Sequence, residues 1–113
     1  MLSPRDVAKL TVDALEAKNA KDIQVLKTED LTVLANYFVI CTATSTTHIK
    51  TLADEVERVL EENGEVAKRK EGYRSGGWVL LDFGCVVVHL FLDEIRAFYN
   101  LERLWGDAEV VTL

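Results

Sequence analysis

The chain has few of the residues that would tie it together covalently or through ions. Its 113 residues include two cysteines, two histidines, one methionine and one proline. Cys41 and Cys85 each stand in an apolar stretch without metal-ligand spacing. They therefore read as free, buried thiols rather than a disulfide or a zinc site. Only six glycines are present, and none falls in the hydroxyl-rich stretch TATSTT (42–47), which excludes a glycine-rich phosphate loop there. No apolar run approaches the length of a membrane span. The first twenty residues carry acids in a capped-helix pattern, so no secretory or import leader is read in them and a cytoplasmic protein is expected. Bases are also scarce, 13 against 19 acids for a net charge of −6. That balance disfavours binding to naked RNA or DNA and suits a basic protein partner or simple solubility.

What remains is an ordinary globular composition, 49% hydrophobic and 28% charged, read as one domain over residues 1–113. Its most ordered stretch is GWVLLDFGCVVVHLFL (77–92), an apolar run with turn chemistry at Asp82-Phe83-Gly84. It predicts a hairpin with Gly84 at a left-handed position. One face of that hairpin would carry Val79, Leu81, Phe83, Val86, Val88 and Leu90. The other would carry Trp78, Leu80, Asp82, Cys85, Val87, His89 and Phe91. The near absence of alternation leaves two readings: either helices cover both faces, or one face is held open for a partner.

Ser3-Pro4-Arg5-Asp6 predicts a helix start, with serine as cap and proline at the first helical position, and the helix runs to about Lys18. Residues 22–27 predict a short strand, 28–34 a turn, and YFVICT (37–42) a central strand. A second helix follows, with an apolar stripe from Ile49 to Leu60, Gly64 past its end, and a strongly acidic outer face. Residues 65–74 predict a short edge strand and a loop around Gly72. After the hairpin, Asp93 can cap a last helix bearing Ile95, Phe98, Tyr99 and Trp105. The tail AEVVTL either adds a strand or packs loosely. The expected fold is α/β: a mixed sheet with an antiparallel hairpin, flanked by helices in the order α-β-β-α-β-β-β-α.

Catalytic chemistry finds little support. A helix start at TATSTT could bind phosphate, but capping by Ser45 or Thr44 explains the same residues. His48 and His89 lack an oriented nucleophile, and the acids of 54–62 occupy the solvent side of a helix. His89 reads as a surface or interface histidine. Trp78, flanked by aliphatics with Asp82 nearby and, for a two-residue turn, expected roughly opposite His89, has the composition of an interaction hot spot, or else of a second core layer.

Five separated blocks together resemble one family. They are YFVICTATS (37–45) followed by His48, Ala53-Asp54, Glu71-Gly72, GWVLLDFGCVVVHLF (77–91), and the closing pattern E-x-R-x-FYxLExLW (94–105). They resemble the ribosomal silencing factor, or Iojap-like, family over nearly the whole chain. The resemblance implies a nucleotidyltransferase-like fold without the paired catalytic acids, no enzymatic activity and no cofactor. It also implies binding to protein fourteen of the large ribosomal subunit. There it would block joining of the small subunit and repress translation under nutrient limitation and in stationary phase; organelle relatives are linked to large-subunit maturation. Carried onto this chain, the family's tryptophan is Trp78, with Leu80 and Asp82 on the same strand face; together with Val87 and His89 from the hairpin face, and with Tyr73, these are the expected partner-binding residues. Asn36, Ala43 and Cys85 depart from the usual Asp, Gly and Asp, the last removing a charge at the turn.

A reading from another class is a small nucleotidyl- or phosphoryl-transfer enzyme using TATSTT. It would show as a nucleotide-dependent rise in melting temperature, since a ligand at ~100 times its dissociation constant adds about 2.7 kcal/mol. Self-association through an open sheet face, giving a homodimer, is a third reading.

Overall fold

The computed structural model describes residues 2–28, 35–74, 77–99 and 109–111. Helix α1 spans Pro4–Ala17. The Asp6 N–H donates to Ser3 Oγ (3.1 Å), and the Ser3 N–H donates back to Asp6 Oδ2 (3.3 Å). Two otherwise orphaned donors are thereby satisfied at the expected cap. Strands β1 (Lys21–Lys27) and β2 (Tyr37–Ala43) follow and pair antiparallel. Helix α2 covers Thr46–Glu62, capped by Ser45. Strands β3 (Arg69–Glu71), β4 (Trp78–Asp82) and β5 (Val86–Leu92), helix α3 (Asp93–Tyr99) and strand β6 (Glu109–Val110) complete the order. The tail thus adds a strand, paired antiparallel to β1. The last helix begins at Asp93 itself. The turn expected over 28–34 lies outside the described residues beyond Thr28, as do the side chains of Phe98, Tyr99 and Trp105.

The six strands line up as β3-β4-β5-β2-β1-β6. β2 and β5 pair parallel at the centre, with α2, β3 and β4 forming the connection between them, while β4 and β5 form the antiparallel hairpin. A parallel neighbour requires such a long crossover, which the α2 segment supplies. The fold is the expected mixed α/β arrangement.

Both long helices pack on one side of this sheet. Val7 and Leu15 of α1, and Ile49, Leu52, Val56 and Leu60 of α2, join Val39, Cys41, Val79, Leu81, Val88 and Leu90 in one buried cluster. Each buried aliphatic there contributes roughly 1.5–3 kcal/mol, so this side holds the fold. The opposite side carries a smaller cluster of Leu26, Ile40 and Phe91, against which Phe38, Trp78 and Ile95 pack. α3 therefore covers one end of the second face. The hairpin is neither buried evenly on both faces nor bare on one.

Candidate partner-binding face

The face opposite the long helices is set by the turn of the hairpin. The Phe83 N–H donates to the Val86 carbonyl (2.9 Å), closing a two-residue turn at Gly84-Cys85. Gly84 takes φ +88°, and its N–H donates to Asp82 Oδ1 (2.8 Å). The carboxylate thus serves as a local turn former. This register places Trp78 opposite Phe91, Leu80 opposite His89 and Asp82 opposite Val87. Trp78 and His89 are diagonal neighbours, two residues out of register rather than opposite, because the turn centres one position later than Asp82-Phe83-Gly84 suggests.

Along β4 the burial alternates, with Val79 and Leu81 buried and Trp78, Leu80 and Asp82 half-buried. β2 extends the same face: its parallel register sets Phe38 beside Val87 and Ile40 beside His89. On the other edge, β3 sets Glu71 beside Leu80 and Arg69 beside Asp82. Arg69 reaches Asp82 (3.5 Å) and Glu71 (3.8 Å) through solvent-exposed ion pairs, which contribute little to stability. The result is a half-buried apolar strip, Phe38, Val87, Leu80 and Trp78, with a charged margin at β3. Phe38 and Ile40 escaped the sequence reading because nothing local announces which strand lies beside β5.

Two of the expected partner-binding residues stand elsewhere. His89 is not a surface histidine: it is 5% exposed. Central placement of β5 between β4 and β2 puts it under the rings of Phe38 (centroids 5.0 Å apart) and Trp78 (5.9 Å). Burial pushes its pKa down to about 4, so the ring is neutral near pH 7. Its Nδ1 accepts the indole N–H of Trp78 at 3.2 Å. Tyr73 lies on the α2 side instead. Its hydroxyl donates to the Asp54 carboxylate (3.1 Å), and Lys70 Nζ sits 3.9 Å from its ring centroid. The structure therefore brings together Trp78, Leu80, Asp82 and Val87, with His89 beneath them and Tyr73 apart.

The TATSTT junction is already internally bonded. His48 Nδ1 accepts from the Thr44 N–H (2.9 Å), which leaves Nε2 to donate to the Lys18 carbonyl (2.8 Å). The His48 N–H donates to Ser45 Oγ (3.0 Å). His48 is a clamp between the end of α1 and the start of α2, and two donors a phosphate would need are taken. The acidic side of α2 is also paired within the chain: Arg58 bridges Glu55 and Glu62, each at 2.9 Å, and Lys70 binds Glu57 at 2.6 Å. A cavity of about 680 Å³ opens at the carboxyl ends of β2 and β5, lined by Lys21, Asp22, Thr42, Thr44, Asp93 and Glu94 among others. Arg96 donates to two of the lining residues, at the Asp22 carbonyl (2.7 Å) and Thr42 Oγ1 (2.8 Å). Among the described residues no group of three or more His, Cys, Asp or Glu is placed to hold a metal. No described helix is long and apolar enough to cross a membrane.

Both cysteines are free, Cys41 buried and Cys85 half-buried. Cys85 packs toward the main core rather than on the Trp78 face. Its carbonyl accepts from the Asn36 N–H at 2.7 Å, so two of the three unusual positions meet. Burial pushes the Cys41 thiol up to about 12 and raises Cys85 as well, with Glu65 adding to the latter. Thiolate is the reacting form. A maleimide or disulfide reagent on the native chain should modify Cys85 slowly and Cys41 only on unfolding. Modification of Cys41 at the faster rate would contradict this placement.

Comparison with known proteins adds a consistent set of relatives. A family model described as ribosomal silencing factor during starvation matches residues 2–113. The chain is 40% identical over 112 residues to the ribosomal silencing factor RsfS of Halalkalibacterium halodurans, covering 99% of this chain and 96% of that protein. It is 33% identical over 99 residues to the mouse protein named mitochondrial assembly of ribosomal large subunit protein 1, covering 85% of this chain and 43% of that one. A crystal structure of a protein from Chromobacterium violaceum superposes with a TM-score of 0.91 at 40% identity, covering 93% of this chain and 88% of that one.

Proposed function

The chain belongs to the ribosomal silencing factor family, and from that premise we propose that it binds the large ribosomal subunit through the strip formed by Trp78, Leu80, Val87 and Phe38. Its contact there is protein fourteen of that subunit. Residues 1–113 act as one non-enzymatic domain in the cytoplasm, and occupancy of the intersubunit side sterically blocks joining of the small subunit. Translation is thereby repressed under nutrient limitation.

The observation that carries this reading is the asymmetry of the sheet. Two long helices bury the centre of one side, whereas the other keeps a large aromatic and two aliphatics half-buried beside a charged margin. Aromatic-centred patches rimmed by polar groups are the usual composition of an energetic centre in an interface. The net charge of −6 complements a basic partner surface and speeds encounter. The name of the mouse relative, which refers to assembly of the large subunit, points to the same partner.

Co-sedimentation with isolated large subunits tests it. Truncating a hot-spot tryptophan commonly costs 2 kcal/mol or more, about 30-fold in affinity. Trp78→Ala should therefore weaken binding at least about 30-fold while the chain still melts cooperatively. Asp82→Asn keeps an oxygen for the Gly84 N–H and removes only the charge, so it should lower the association rate and its salt dependence with little change in melting. Undiminished binding of a folded Trp78→Ala variant would move the interface to another face.

A further inference from the structure

The strongest unexplained feature of the face lies just beneath its surface. His89 is a buried polar group in an aromatic setting, and its side chain accepts a hydrogen bond from the indole of Trp78. Nδ1 accepts that bond, so the ring proton resides on Nε2, which has no hydrogen-bond partner among the described residues. A buried donor left unpaired is costly. A phenylalanine or leucine would fill such a place without that cost, and the histidine therefore calls for an explanation beyond packing.

The indole supplies one. Trp78 stacks on Phe91 with centroids 5.0 Å apart and planes inclined by 28°. Stacking of this kind tolerates either orientation of an indole about its side-chain axis, because both present a similar apolar area. A directional hydrogen bond does not tolerate both. The Nε1–H···Nδ1 contact selects the orientation in which the pyrrole edge turns inward to His89 and the indole has one defined placement on the face. Ordering such a side chain before an encounter reduces the entropy lost on binding.

We propose that His89 is a positioning residue of the partner face: it holds the Trp78 indole in its binding orientation by accepting its N–H, and does not itself touch the partner. This rests on the reading of that face as the large-subunit contact. The role requires a neutral ring, since only neutral imidazole offers a lone pair at Nδ1. The surroundings provide for that. Leu80 and Ile40 flank His89 across the sheet on β4 and β2, and the rings of Phe38, Trp78 and Phe91 close around it. The charged groups of the same face are engaged elsewhere: Asp82 with Gly84 and Arg69, and Glu71 with Arg69.

The test compares His89→Leu and His89→Gln with Trp78→Ala in large-subunit binding, and follows the Trp78 indole N–H resonance in each chain, assigned with Trp78→Phe. His89→Leu should weaken binding about tenfold and shift the indole resonance. His89→Gln, whose amide oxygen can accept the same bond, should restore most of both. Loss of binding in the leucine variant without recovery in a folded glutamine variant would overturn the proposal, as would unchanged binding alongside a displaced indole resonance. If Trp78→Ala still binds, the face itself has been misread and the positioning role falls with it. If Trp78→Ala releases the subunit and His89→Leu does not, only the positioning role fails. Should the leucine variant not fold, the native chain decides: the indole resonance must titrate together with the His89 ring, and an indifferent resonance overturns the bond on which the role depends.

Discussion

Gly72→Ala should be among the most destabilising single methyl additions in this chain. Gly72 adopts φ +81°, and a Cβ built on it falls on the carbonyl oxygen of Trp78. The two costs are separable. A left-handed conformation costs an ordinary residue roughly 1–2 kcal/mol. Displacing backbone to relieve a clash costs about 1–3 kcal/mol more. Together they predict a loss of ~2–5 kcal/mol in urea unfolding, out of the 5–15 kcal/mol typical of a domain. Gly64→Ala is the matched control, because Gly64 has φ +86° and nothing within 4 Å of the added Cβ. It should lose only the conformational part. Equal losses in the two variants would show that the approach of Gly72 to β4 does not matter. Because the clash falls on Trp78, Gly72→Ala should also weaken large-subunit binding more than its stability loss alone predicts.

Stability should decline on the acid side through His89, starting well above the carboxylate range. An unfolded histidine titrates near 6.5, and burial lowers the folded value to about 4. Between those values the unfolded chain binds the proton and the folded chain does not, so unfolding gains as pH falls. The contribution is fully present above about pH 6.5 and lost progressively down to pH 4. The difference of roughly 2.5 units corresponds to about 3 kcal/mol at 1.36 kcal/mol per unit. Glu55, held below its usual range by hydrogen bonding to Arg58, acts in the same direction only at lower pH. Urea melts from pH 7 to 4 should show the early decline in the native chain, and His89→Gln should flatten it. Parallel curves for the two chains would mean that His89 takes up its proton without cost in the folded state.

Much of the local architecture was legible because its causes are local. The Ser3-Pro4-x-Asp6 start, the Ser45 cap, the stripe from Ile49 to Leu60 and the two strands of the hairpin each depend on residues within a few positions of one another. Helical and strand periods expose such features directly. The hairpin turn was legible in kind and misjudged by one position. Asp82-Phe83-Gly84 looks like turn chemistry, yet Asp82 is the last paired residue and Gly84-Cys85 make the reversal. A one-residue difference there changes which side chains face each other across the ladder, which is why Phe91 rather than His89 stands opposite Trp78.

The fates of His89 and Tyr73 had no such local signal. Both are polar-tipped aromatics in or beside the hairpin, and by composition either could line a surface. β2 settles beside β5 in parallel register, which encloses His89 between two strands. Tyr73 is drawn to the far side by Asp54 of α2, nineteen residues away. His48 likewise reads as an isolated histidine until α1 and α2 are adjacent and Lys18 offers its carbonyl. By itself, then, the sequence determined the helices, their caps, the hairpin and the family, since those follow from short-range pattern and from motifs spread along the chain. Tertiary structure alone decided which of the candidate residues share a face and which lies beneath it, because strand neighbours distant in sequence set both burial and hydrogen-bond partners.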